Sequence, residues 1–213
     1  MMLIKKRTIY LLISLACWSS PALADSADDY DVGLKAYTSG SVVDAMTPLR
    51  RAADKGHAPA QALLAYILDI SELDEEAVAY YQKSSEQGDA DGQFGLGSMY
   101  LSGEGIAKNL EEARRLFNLS AKQGNKNAIV ALAQSYISGG LGLDEAALRG
   151  PEALFWIKAA ADFDYQPALV ALSAAYASGK YGLSIDPKMV ESLHARLRKI
   201  QEPRDSGNKT TNK

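Results

Sequence analysis

Apolar and small side chains recur along this chain at the spacing of an α-helix. Four segments carry an alanine, an apolar or aromatic pair three and four residues later, and small residues seven and eight later. They are Ala45, Pro48, Leu49, Ala52 and Ala53; Ala77, Tyr80, Tyr81, Ser84 and Ser85; Ala113, Leu116, Phe117, Ser120 and Ala121; and Ala153, Trp156, Ile157, Ala160 and Ala161. Those offsets put each set on one face of a helix. Eleven residues after each alanine stands a turn residue, Gly56, Gly88, Gly124 or Asp164, and twelve beyond it a second mark, Leu68, Tyr100, Tyr136 or Tyr176. Tyr37 opens that series, and its members are 31, 32, 36 and 40 residues apart. A period in this range predicts an all-α solenoid, here of about five antiparallel helix pairs, each unable to bury its apolar face without its neighbours.

Local signals place the helix ends. Pro151 after Gly150 and Pro187 after Asp186 suit a first helical position, where the missing N–H costs nothing. Asn109 reads as a cap, Ser41 with Asp44 as a capping pair, and Gly88 and Gly124 as helix terminators. The linkers within pairs lengthen along the chain, from a turn at Gly40 to residues 103–105 and then to 139–150. That last insertion is a place where function could lodge, or an inert elaboration. The linker holding Tyr181 reads as an ordinary one with an exposed aromatic. The last helix carries His194 where the others have Leu49, Tyr81, Phe117 and Ile157, and Arg198 where they have alanine or serine. This is the polar outer face that a terminal repeat needs.

The third copy, with Ala90, Gln93, Leu96, Gly97, Tyr100, Gly103, Gly105, Asn109, Ala113, Ala121, Gln123 and Gly124, resembles the Sel1-like repeat family, a relative of the tetratricopeptide repeats. The first copy, with Gly33, Ala36, Tyr37, Gly40, Ala45, Pro48, Leu49 and Gly56, looks like the opening repeat of exported bacterial members. Leu68 departs from the tyrosine mark, and Ala133 and Ser173 replace the glycine at the position of Gly97. The resemblance covers residues 30–201 and implies a right-handed α-solenoid used as an adaptor for protein complexes, with no shared reaction.

In tetratricopeptide relatives, the first-helix face at positions −6, −2 and +1 from the mark lines a concave groove. Carried over, it comprises Ala62, Tyr66 and Asp69; Phe94, Ser98 and Leu101; Val130, Gln134 and Ile137; and Val170, Ala174 and Ala177. Two readings compete. Stacking could bury Phe94, Leu101 and Ile137 as core. Alternatively, Tyr66, Phe94, Ser98, Leu101, Val130, Gln134 and Ile137 form a protein- or peptide-binding groove, with the aromatics as anchors and Ser98 and Gln134 as hydrogen-bonding groups. A glycan- or peptidoglycan-binding module is the alternative, its aromatics stacking on sugar rings. A hydrolase ranks below both.

The amino-terminal residues change the picture of where this happens. Lys5, Lys6 and Arg7 precede an apolar run over 9–18 and a small-residue end at Ala22, Leu23 and Ala24. Residues 1–24 are therefore expected to be a signal peptide cleaved after Ala24, sending the chain to the periplasm or outside the cell. Ten residues span roughly 15 Å as a helix, about half a bilayer core. Cys17, the single cysteine, leaves a lipoprotein reading open in which it bears the lipid anchor. Processing after Ala24 removes three basic and no acidic residues, so the net charge moves from −3 to −6. Such a balance gives no expectation of nucleic-acid binding, and the basic group Lys188, Arg196, Arg198 and Lys199 reads as the solvated last helix. Residues 25–201 form the solenoid and 202–213 a polar tail expected to be disordered.

Catalytic chemistry is not expected. The two histidines, His57 and His194, lie near opposite ends of the array, and His57 reads as a solvated turn residue. Asp74, Glu75, Glu76, Glu111 and Glu112 occupy first turns of helices, where the dipole favours carboxylates. Gly92, Gly95 and Gly97 have no preceding strand and read as packing glycines of a first helix. No metal site and no cofactor are expected, and oligomeric state is left open.

Overall fold

Side-chain caps open most of the helices. In the computed structural model, which describes residues 21–202 with side chains from Asp25 onward, the order is α1 (Pro21–Thr38), α2 (Val42–Asp54), α3 (Ala58–Asp69), α4 (Asp74–Glu86), α5 (Ala90–Ser102) and α6 (Leu110–Lys122). It continues with α7 (Lys126–Ser138), α8 (Glu145–Arg149), α9 (Pro151–Asp162), α10 (Gln166–Ser178) and α11 (Pro187–Gln201). The expected signal sequence and Cys17 fall on residues 1–20, outside the described residues, as does the tail from 203. α1 runs through the expected cleavage position.

Asn109 Oδ1 accepts the Glu112 amide at 3.1 Å, and Asp186 Oδ1 accepts those of Lys188 and Met189 at 3.0 and 3.1 Å. Each bond satisfies a donor that the first helical turn leaves free. Two expectations need correction. Ser41 does not cap α2: its hydroxyl donates to Asp44 Oδ2 at 2.5 Å. His57 is not a solvated turn residue, because its Nδ1 accepts the Ala60 amide at 3.2 Å and its ring lies 4.7 Å from that of Tyr30. Between repeats the chain turns in the left-handed region, at Gly88 with φ +83° and, in the fourth pair, at Asp164 with φ +58°. Asp164 holds that less accessible conformation while Arg196 donates to its carboxylate.

The helices pair as α1/α2, α3/α4, α5/α6, α7/α9 and α10/α11, and each second helix also packs on the next first helix. The second-helix marks supply the core: Ala45, Leu49, Ala77, Tyr81, Ala113, Phe117, Ala153 and Ile157 are all buried. Full burial of a leucine or phenylalanine stabilises by about 1.5–3 kcal/mol, so these repeated positions hold the array together. Buried serines add ties within a pair. Ser84 donates to the Ala58 carbonyl at 3.0 Å and Ser120 to that of Ala90 at 2.6 Å. Gln87 clamps Gln61 at 2.7 Å, and Gln123 clamps Gln93 at 2.8 Å, in the same two repeats. α3 packs directly on α5 and α7 on α10, more extensively than any two successive second helices touch. First helices therefore line the inner face.

The insertion at 139–150 is partly structural. Leu141 is buried at φ +55°, and Leu143 and Leu148 pack on the carboxy-terminal core, flanking the short α8. Tyr181, expected to be exposed, is half-buried against that core with Lys180 4.8 Å above its ring. In the last pair, Ser173 and His194 meet in a hydrogen bond of 3.0 Å where the third pair has Gly97 against Phe117.

Candidate functional site

The inner face between α1, α3 and α5 encloses a cavity of about 360 Å³. α3 supplies Ala62, Leu63, Tyr66 and Asp69, which share a face because they are three and four residues apart. α5 supplies Asp91, Phe94, Gly95 and Ser98 by the same rule, and α1 contributes Tyr30 and Leu34. Tyr81 reaches in from α4, from beneath Gly95. A Cβ on that glycine would stand 2.0 Å from Tyr81 Cε1, so the bare backbone is what lets the ring occupy the space.

Three of the seven residues singled out from the sequence, Tyr66, Phe94 and Ser98, meet at this cavity. Tyr66 is 45% exposed, its ring edge-on to Tyr37 at 6.4 Å. Phe94 is half-buried and lies 5.5 Å from the ring of Phe117, so it belongs to both core and cavity wall. The Ser98 hydroxyl donates to the Phe94 carbonyl at 3.1 Å. The other four lie elsewhere. Leu101 is exposed beyond the cavity rim, Val130 and Ile137 are half-buried on α7, and Gln134 Oε1 accepts the Tyr165 hydroxyl at 2.7 Å. Tyr30 and Tyr81 were missed, because they come from neighbouring helices that spacing within one helix does not specify; Asp91 was missed although it stands on α5 three residues before Phe94. Gly95 was the available signal, since a glycine inside a helix often marks a close approach.

The cavity is both aromatic and acidic. It contains Asp69 and Asp91 and neither lysine nor arginine. Burial, reinforced by the charges of Asp74 and Glu104, raises the Asp69 carboxyl above its ordinary range. Burial, followed by the charges of Asp69, Tyr66 and Asp91, pushes the Tyr81 phenol well above its usual value. Tyr30 moves the same way, through burial and then Asp89, Asp91 and Asp31. Such a site can hold an apolar or aromatic side chain and attract positive charge. Among the described residues no group of three or more His, Cys, Asp or Glu is placed to hold a metal, and no helix is long and apolar enough to cross a membrane.

The two repeats that form most of the cavity are also the two that comparison with known proteins recognises. Residues 58–89 and 90–125 each match the Sel1 repeat. A segment of 86 residues is 38% identical to DAP3-binding cell death enhancer 1 of Rattus norvegicus, covering 39% of this chain and 17% of that protein. A protective antigen of uropathogenic Escherichia coli strains with an SLR fold superposes with a TM-score of 0.66 at 25% identity, covering 84% of this chain and 39% of the antigen. A Sel1 repeat protein from Oxalobacter formigenes superposes with a TM-score of 0.65 at 24% identity, covering 82% and 73% of the two chains. Sel1 repeats mediate protein–protein interaction, and the fold is typically a non-catalytic scaffold. Residues 58–125 thus carry two Sel1 repeats, within five stacked helix pairs whose all-α arrangement is similar to that of solved Sel1-like repeat structures.

Proposed function

We propose that residues 25–201 act as a non-catalytic adaptor, exported to the periplasm with cleavage after Ala24, that holds a protein or peptide of the cell envelope on its inner face. The observation that carries this reading is the cavity between α1, α3 and α5, with an exposed Tyr66 beside the half-buried Phe94. Aromatic side chains in a concave site are the anchors from which interfaces draw most of their energy. The matched repeats supply the walls of that cavity, and Sel1 repeats serve protein partners.

A second reading, a peptidoglycan-binding module, draws on the same tyrosines, which could stack on sugar rings, and on Asp69 and Asp91, which could accept hydroxyl hydrogen bonds. Two retention assays separate the readings. The chain from Asp25 onward is immobilised in wild-type and Tyr66→Ala forms and exposed to envelope protein extract. The same proteins are then sedimented with purified peptidoglycan. The adaptor reading expects retention of a discrete protein that Tyr66→Ala loses, and no sedimentation with peptidoglycan. Tyr66-dependent sedimentation, without protein retention, would replace it with the glycan reading.

A further inference from the structure

The distribution of charge narrows what the cavity accepts. The ion pairs among the described residues join Arg50 to Glu76, Arg51 and Lys55 to Asp29, Lys55 to Asp25, Arg115 to Glu112, Arg149 to Glu145 and Arg196 to Asp164. Each involves second helices, the ends of the array or the insertion, and none includes Asp69 or Asp91. Asp91 accepts a hydrogen bond from the neutral Asn125 amide at 2.7 Å. Asp69 has no side-chain hydrogen bond or ion pair among the described residues, and Asp74 and Glu104 add further negative charge around it. The carboxylates thus face a cavity that has aromatic walls at Tyr30, Tyr66 and Phe94 and an apolar side at Leu34 and Leu63, with no cation of the chain's own.

From this we infer that the cavity is a receptor for one lysine or arginine side chain of the partner protein. The aliphatic stem lies along Leu63 and Phe94, and the charged head sits between the faces of the tyrosines and the carboxylates of Asp69 and Asp91. Long basic side chains have this dual character, with an apolar stem and a charged end. Aromatic faces and carboxylates are the two protein groups that attract that end. The volume of about 360 Å³ lies at the small end of the ~300–1,000 Å³ range of ligand sites, which suits one long side chain with its flanking backbone. An acidic or phosphorylated segment would meet repulsion here, and a sugar would leave the negative charge unanswered. The inference rests on the adaptor reading and gives its partner a chemistry.

The test uses acetylated, amidated tripeptides Leu-X-Leu, with X lysine, arginine, norleucine or glutamate, and chitobiose as a sugar probe. Each is titrated into the chain from Asp25 to Lys213 while the backbone amides of Gly95 and Ser98 are followed by NMR. The lysine and arginine peptides are expected to shift both amides saturably and to bind at least about fivefold more tightly than norleucine, the preference shrinking as salt rises. Asp69→Asn, which keeps the side-chain shape, should remove most of that preference while leaving norleucine binding and the thermal midpoint in place. Norleucine binding as tightly as lysine would overturn the cationic assignment and leave the groove standing. Glutamate or chitobiose binding more tightly than lysine would overturn it as well. Absence of saturable shifts with every probe would overturn both the assignment and the inner face as the binding site.

Discussion

Replacing Gly95 with alanine sets helix propensity against packing. The added Cβ would lie 2.0 Å from Cε1, 2.3 Å from Cζ and 2.5 Å from Cδ1 of Tyr81, whereas carbon atoms in contact settle at about 3.5–4.0 Å. The ring must withdraw by about 1.5 Å, yet Tyr81 is only 4% exposed and sits in the amino-terminal core. Alanine gains about 1 kcal/mol over glycine inside a helix. Overpacking of a well-filled core costs about 1–3 kcal/mol, and the depth of this overlap places it at the upper end. The net loss is about 2 kcal/mol, or a fall in thermal midpoint of roughly 4–8 °C for an array of this size. Gly97→Ala supplies the internal control. Its Cβ meets Phe117 at 2.9 Å and the Ala113 carbonyl at 3.3 Å, an overlap that a small ring shift relieves, so the propensity gain roughly cancels the cost. Sister repeats already carry Ala133 and Ser173 at that position. Urea denaturation followed by far-UV circular dichroism measures both variants. A Gly95→Ala protein as stable as the parent would refute the close approach of α4 and α5 on which the shape of the cavity depends.

Further expectations are open to direct measurement. Tyr66→Ala removes an exposed ring whose edge-on contact with Tyr37 is worth about 0.5–1.5 kcal/mol, so stability should change little while partner affinity falls by about tenfold or more. Hydrogen bonds from Arg51 and Lys55 hold the Asp29 carboxyl at about 2, below its ordinary 3.8. Because the folded value is depressed, the stabilisation is present above pH 4 and lost as pH falls through 2; Asp29→Asn should flatten the decline of the urea midpoint across that window. Tyr136 is pushed in the opposite direction, to about 12, first by burial and then by Glu152. Its contribution is present below pH 10 and lost as pH rises through 12, so Tyr136→Phe should resist alkaline unfolding better than the parent. Trp156, buried beside Phe155 at 4.7 Å, should emit in the blue and shift red on unfolding, and a red shift on ligand addition without unfolding would argue against its place in the core.

The repeat was readable because burial imposes the same offsets four times over: Leu49, Tyr81, Phe117 and Ile157 each follow their alanine by four residues, and each is buried. Tyr66 at −2 and Phe94 at −6 from their marks were readable for the same reason, one helical face being set by spacing alone. What spacing within a helix cannot specify is the neighbour that stacking brings alongside. Tyr30 and Tyr81 therefore joined the cavity unannounced, and Gln134, read as a hydrogen-bonding group of the groove, is taken by Tyr165 from the next repeat. In the insertion at 139–150 the glycines outweighed Leu141, Leu143 and Leu148, although the leucines attach the segment to the core. His57 looked like a turn residue because histidine seldom caps a helix; its ring nitrogen does so here while its face packs on Tyr30.

Photocrosslinking most directly tests whether the inner face is where the proposed adaptor holds its partner. The chain carries a photoreactive phenylalanine analogue, which keeps an aromatic ring, in place of Tyr66 or, on the outer helix α6, in place of Glu112, and is irradiated in cells that express it. The account predicts a discrete protein adduct from position 66, absent from position 112 and reduced by Asp69→Asn in the same chain. Adducts from 112 alone, or equally from both positions, would contradict it.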